Sequence, residues 1–387
     1  MRRHTRRRFV EATAFASVSA LAGCIGGAFN ESKYERAIGM PSPQSGPLAT
    51  NGERALQAAE IAVEDFADEA SGEVTLEKQD GEGDPEAAIT VTRDLLDNGV
   101  PALTGTFSSD VSTALSNHAE SEEVPFMTAI SVAAEVVESG DEYTFRMTGN
   151  LKQKMTGMVE FLNQQGVSGI SVIAADYSMG RSAVDFLEQQ ANNYDIELVS
   201  DAVVPMSTND FVPELQSINT GEIDAIFCPF PGGNGPTLVQ QMREQDMFEE
   251  VDIVIGHDSY GTEAFREALG EDIVDMYNWG VDLKNERAQQ ASEQMQDEYD
   301  VRMDALSLPN YDAVRMLTQV IDEQDSVDAQ SVRDGLADIE YESASGWDVS
   351  FDGDGNNEAF QMIVSKWEQS DGEIRNVPQY TSDVIKP

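Results

Sequence analysis

Short apolar runs that stop at a glycine or polar break, each followed by apolar residues at helical spacing, recur along this chain from about residue 34 to residue 261. Strand and helix alternating in this way demand parallel strands buried under helices, an α/β fold. In the first set, 37–40 reads as a strand, 53–69 as a helix burying Leu56, Ile61, Val63 and Phe66, and 73–78 as a second strand. Pro85 then opens a helix at its first turn, where a missing N–H costs nothing. A strand ending at Leu103-Thr104 breaks at Gly105 and precedes Ser108, Ser109 and another helix, with further strands at 124–127 and 143–147. The second set takes helix 154–164, strand 170–175, strand 196–204, strand 223–228, helix 236–245 and strand 251–255. Helices follow at 286–298 and 310–323, and the tail reads as a hairpin of 347–351 and 358–367 around a turn at 352–357. Two such sets on 387 residues fit two domains, because a single core rarely grows past about 250–300 residues.

Ligands of open parallel sheets bind beyond the carboxyl ends of the strands. The residues that follow each strand are therefore the short list for a site. Foremost is the stretch 103–131. A strand that hands over to a helix at Gly105 leaves backbone N–H groups free at the helix start, a seat for a carboxylate or phosphate. Thr128, Ile130 and Ser131, after the next strand, can add donors beside it. Ser109 alternatively caps its own helix, and the sequence leaves both readings open. Tyr177, Phe230 and Tyr260 follow other strands and serve either as pocket walls or as core rings; Asp258 is either a ligand contact or a turn residue in an acid-rich chain.

The first residues are targeting sequence rather than fold. Paired arginines in Thr5-Arg6-Arg7-Arg8-Phe9 precede an apolar run, 12–22, in the pattern of a twin-arginine export signal. That run is shorter than the roughly 20 residues a membrane span needs. It ends Leu21-Ala22-Gly23-Cys24, which resembles a lipobox, with Cys24 as the lipidated first residue of the mature protein and 24–32 as a tether. Loss of residues 1–23 removes five arginines and one glutamate, taking the net charge from −47 to −51. A surface so acidic repels itself in dilute buffer and is screened in molar salt, so the chain reads as a salt-adapted protein of a halophilic archaeon. The same sign of charge excludes nucleic acid as a partner. Two cysteines give no disulfide framework, and the three histidines fit no metal spacing, so no cofactor is expected.

Taken together, Ser45-Gly46-Pro47, the 104–109 turn, Val124-Pro125, Phe145-Arg146, Asp176 to Gly180, Asp210-Phe211, Gly256 to Gly261, Tyr311-Asp312 and Gly346 to Gly355 resemble the periplasmic-binding-protein superfamily. The resemblance is to the branched-chain amino-acid receptors of ABC importers and covers about 34–377. It implies a two-lobed type I fold, lobe 1 from 33–148 plus 281–343 and lobe 2 from 149–280 plus 344–387, joined by three crossovers and closing on a ligand. It also implies an amino-acid ligand, permease subunits as partners, a monomer, and a place on the outer face of the cytoplasmic membrane. Ser108 and Ser109 fall at its carboxylate-binding position, Ile130 and Ser131 at its second hydroxyl or amide contact. Tyr177, Phe230, Gly232 and Ser259 fall near its pocket, and Asp258 at the acid that holds the ligand's ammonium. Met179 stands where a tyrosine is common and Gly232 where an aromatic is common, so the side-chain pocket departs from the pattern. Amides, urea and aromatic acids are the alternative ligands, and a ligand-sensing receptor domain the alternative role.

Asp352-Gly353-Asp354-Gly355-Asn356 resembles the start of a calcium loop, but Asn357 and Ile363 stand where glycine and glutamate belong, so a glycine-rich turn is expected. Asn30-Glu31-Ser32 is a glycosylation sequon. A serine hydrolase on Ser108 or Ser109 lacks the Gly-x-Ser-x-Gly elbow.

Overall fold

The computed structural model describes residues 36–387 apart from 47, 68, 139, 140, 231, 232 and 325. The leader, Cys24, the tether, Asn30 and Gly232 lie outside the described residues. The first part of the chain runs β1 (Ala37–Ser42), α1 (Ala49–Ala67), β2 (Thr75–Asp80), α2 (Pro85–Asp97), β3 (Ala102–Thr104), α3 (Ser109–Glu122), β4 (Phe126–Thr128) and β5 (Thr144–Arg146). These strands form a five-stranded parallel sheet in the order β2-β1-β3-β4-β5. Next come α4 (Leu151–Gln164), β6 (Gly169–Ala175), α5 (Ser178–Gln190), β7 (Glu197–Val204), α6 (Val212–Ser217), β8 (Ala225–Cys228), α7 (Gly235–Glu244) and α8 (Met247–Glu250). β9 (Ile253–Gly256), α9 (Glu263–Leu269) and β10 (Tyr277–Trp279) follow, and then α10 (Glu286–Tyr299), α11 (Ser307–Glu323) and α12 (Ala329–Ala337). Four strands come after them: β11 (Tyr341–Glu342), β12 (Asp348–Val349), β13 (Gln361–Ser370) and β14 (Glu373–Val384).

Local chemistry sets the helix starts. Asp84 accepts the Glu86 and Ala87 amides at 3.0 Å and Pro85 takes the first turn, so α2 begins where its free donors are satisfied. Asn150 and Gln153 form a reciprocal capping box at the head of α4. β1, β3, β4 and β6 are buried along their whole length, as strands covered by helices on both faces must be. α11 is buried on nearly every face, between α1 and the first sheet. Each leucine-sized side chain so buried contributes about 1.5–3 kcal/mol.

The second sheet has seven strands in the order β14-β13-β10-β9-β8-β6-β7, with β13 and β14 antiparallel at one edge. Here the tail departs from the expected hairpin. Residues 348–349 pair with 341–342, Phe351 makes a single bridge to Asn357, and the long strand from Gln361 pairs with 373–384 instead. β14 escapes a reading from sequence because it is an exposed edge strand with polar residues on both faces. Asp352 accepts the amides of Asp354 and Asn356 and shapes the turn between. Gly355 takes φ +85°, and a Cβ there would run into the Thr144 carbonyl oxygen. Among the described residues no helix is long and apolar enough to cross a membrane.

Candidate functional site

The chain passes between the two sheets three times. It leaves β5 through 147–150, leaves β10 through 280–285, and returns through 343–360. The first two passages start at carboxyl ends of parallel strands, so the carboxyl edges of both sheets are tied to one hinge. Asn357, fully buried, binds the passages to each other: its amide donates to the carbonyls of Met147 (2.8 Å) and Asp348 (3.2 Å), and its own backbone carbonyl accepts Gln153 Nε2 at 2.8 Å. The Arg146 amide donates to Gly355 O, and the Asp282 amide to Ser345 O at 2.8 Å.

On the first lobe, Gly105 (φ +107°) and Thr106 (φ +65°) turn the chain from β3 into α3 in left-handed conformations. A threonine held there costs of order 1–3 kcal/mol and persists because its neighbours fix it. The Thr106 hydroxyl hydrogen-bonds Ser112 Oγ, which in turn meets Ser131 Oγ at 2.6 Å, all three buried. Ser131 therefore spends its hydroxyl behind α3, and its carbonyl accepts Arg146 Nη1 at 3.2 Å, while Ala133 O accepts Nη2 at 2.7 Å. Burial pushes the Arg146 guanidinium down to about 10. Ser108 is the N-cap residue of α3 but its side chain caps nothing, and Ser109, half-buried, is the first residue of the helix rather than its cap. The first-turn amides of α3 thus have no side-chain cap from Ser108. Ile130 lies half-buried at the end of β4, packed against the core.

On the second lobe the outcome differs by residue. Phe230 is a core ring, 1 % exposed and edge-to-face with Phe211 at 5.2 Å, so it is not a pocket wall. Tyr260 is also fully buried. The Ser259 hydroxyl is taken by the His257 ring at 3.2 Å. Tyr177 is half-buried ahead of α5, its hydroxyl donating to Met179 Sδ at 3.0 Å; burial, and next the charge of Asp258, raise its phenol. Asp258, the expected partner of a ligand ammonium, instead accepts Lys154 Nζ at 2.8 Å, with the two side chains 17 % and 5 % exposed. Lys154 stands on the first turn of α4, its Nζ 5.7 Å from the Trp279 ring centroid. It is absent from the sequence-derived short list, yet it carries a signal: in a chain of seven lysines it falls on the apolar stripe of Leu151, Met155 and Met158.

Burial holds His257 down to about 4, so it is neutral in the folded protein. The unfolded chain takes up that proton near 6.5. Stability is therefore fully present above pH 6.5 and is lost as the pH falls toward 4, a difference on the order of 3 kcal/mol. Asp312, raised to about 6 by burial, acts with the opposite sign but is common to wild type and variant. Urea unfolding of His257→Leu in molar KCl is expected to lose this slope between pH 7 and 4.5, and parallel pH profiles would refute it.

A groove of about 560 Å³ lies elsewhere, between α1, α10 and α11. Several of its polar groups are paired with one another: Tyr311 with Asp65 at 2.7 Å, Arg315 with Glu69 at 2.9 Å, and Arg287 with Glu342 O at 2.7 Å. The site at the strand ends is the better candidate, because no described side chain caps its donors at α3.

A family model described as periplasmic binding protein matches residues 36–373. The Leu/Ile/Val-binding protein homolog 7 of Brucella suis biovar 1 (strain 1330) is 25% identical over 366 residues, 88% of this chain and 90% of that one. Among solved structures, a solute binding protein of an ABC transporter from Rhodopseudomonas palustris BisB5, in complex with 3,4-dihydroxy benzoic acid, superposes with TM-score 0.80 at 19% identity over 90% of this chain and 98% of that one. The branched-chain amino acid transporter substrate binding protein from Streptococcus pneumoniae, in complex with isoleucine, does so with TM-score 0.75 at 19% identity over 91% and 99%.

Proposed function

The chain belongs to the periplasmic binding proteins, and on that premise we propose that it is the solute receptor of an ABC importer. It captures a small carboxylic solute, a branched-chain amino acid or an organic acid, between two lobes and delivers it to permease subunits in the membrane. The observation that carries this is the α3 N-terminus, uncapped by any described side chain, at one of two carboxyl edges that a common hinge ties together. Binding is the role this family membership supports. Ligand contacts are assigned to Ser108, Ser109 and Ile130 of the first lobe and to Tyr177 and Lys154 of the second. The lobes are assigned to 33–148 plus 281–343 and 149–280 plus 344–387. The receptor works as a monomer, exported by the twin-arginine route and held at the outer membrane face through Cys24 in a salt-rich setting.

Charge-assisted bonds of about 1.5–3 kcal/mol each, less an association cost of at least ~4 kcal/mol, give micromolar affinity from a handful of contacts. A thermal-unfolding screen in molar KCl against amino acids, aromatic acids, short-chain acids, amides and urea tests the reading. A solute at 100 times its Kd is expected to stabilise the protein by about 2.7 kcal/mol. A flat response to every carboxylic acid would remove the reading.

A further inference from the structure

Asp258 is the one group at the strand ends of the second lobe that the sequence assigns to a ligand's ammonium. Its negative charge is already balanced. Lys154 reaches it from α4, Nζ to Oδ1 at 2.8 Å, and the lysine is 5 % exposed. Asp176, which directly follows β6, is paired with Arg181. We propose that Lys154 is an internal counterion that fills the ammonium seat, so that the solute is a carboxylate whose body carries no positive charge.

The fate of the lysine decides between solutes. An amino acid arriving with its own ammonium must evict Lys154 from Asp258 or share that one carboxylate with the lysine, leaving two positive charges against one negative. Evicted, the Lys154 ammonium stays buried beside the Trp279 ring, 5.7 Å from its centroid, with no second acid among its described partners to receive it. A buried charge stripped of its partner costs more than the new pair returns. Neither neighbour supplies a negative charge in its place: the buried His257 ring is neutral and Tyr177 stays a phenol. A carboxylate with a neutral body avoids the exchange altogether. Its charge goes to the first-turn amides of α3 and the hydroxyls of Ser108 and Ser109, and its body faces a lobe whose charges already cancel.

This inference rests on the receptor reading above and narrows its ligand. The test uses pairs of acids that differ by the amino group: L-leucine with 4-methylpentanoate, and L-phenylalanine with 3-phenylpropanoate, titrated calorimetrically into the protein in molar KCl. The acid without the amino group is expected to bind at least tenfold more tightly in each pair of which either member binds. An amino acid that binds as tightly as its partner overturns the inference and leaves the receptor standing; binding of no carboxylic acid takes down both. The pair that binds also distinguishes aliphatic from aromatic bodies. In Lys154→Met, checked for native circular dichroism, Asp258 is released and the preference for the des-amino acid should fall at least tenfold. An unchanged preference in the folded variant would show that the lysine does not fill the seat.

Discussion

Replacing Asp312 by alanine is expected to destabilise the protein by about 3–5 kcal/mol, near the top of the range for a single substitution. Asp312 sits fully buried on α11, and all four of its donors are neutral. They are the amides of Ala344 and Ser345 at 2.8 Å each, the Ser345 hydroxyl at 2.6 Å and the Tyr341 hydroxyl at 3.2 Å. Those donors belong to the segment that opens the third passage between lobes. Truncation leaves two buried amides without acceptors, at about 1–3 kcal/mol each, besides the two hydroxyls. Urea unfolding in molar KCl measures the loss. Asp312→Asn keeps one acceptor oxygen and should lose less than half as much. A cost below about 1 kcal/mol for alanine would mean that the segment is held by other contacts.

The second large effect is salt. The chain carries 71 acidic against 24 basic residues. Spread over a sphere of this size, a charge of −47 repels itself by roughly tens of kcal/mol at 0.1 M salt, and by less than half of that at 1 M, where the Debye length falls from about 10 to about 3 Å. The expanded unfolded chain feels far less of it, so salt favours the compact state. Tm is expected to climb by at least about 10 °C between 0.1 and 2 M KCl, with sodium chloride acting alike because screening depends on ionic strength. A melting temperature indifferent to salt would show that the acidic surface is already compensated in dilute buffer.

The parallel architecture is legible in the chain because its evidence is chemical and local. Fully buried strands such as 169–175 read as mainly apolar runs, and proline and aspartate mark the start of α2. The turn from β3 into α3 is legible for the same reason: Gly105 marks the left-handed break before the helix. What sequence does not show is how buried polar groups choose partners. Ser131 and Ser259 look like ligand hydroxyls in the chain and are internal bonds in the fold. Asp258 looks like a free acid, and only the arrival of α4 after the first passage brings Lys154 to it. Phe230 can face either way until α6 and its lead-in residue Phe211 are placed. The final strand stays hidden because its alternation is polar on both sides.

The order in which the chain visits its two sheets dictates when either can be completed. α11, which packs on the first sheet, and α10, which packs on α1, are made only after most of the second, and β13 and β14 close the second sheet's edge later still. A ribosome releasing this chain stepwise therefore holds two unfinished cores at once, with the β10 edge and the apolar flank of α1 waiting for partners more than 80 and 200 residues downstream. Such distant pairings make for slow, late and concerted maturation. The second half cannot reach its native form until synthesis has passed β14, and a nonsense codon that removed only that strand would expose the β13 edge to other chains rather than yield a shorter receptor.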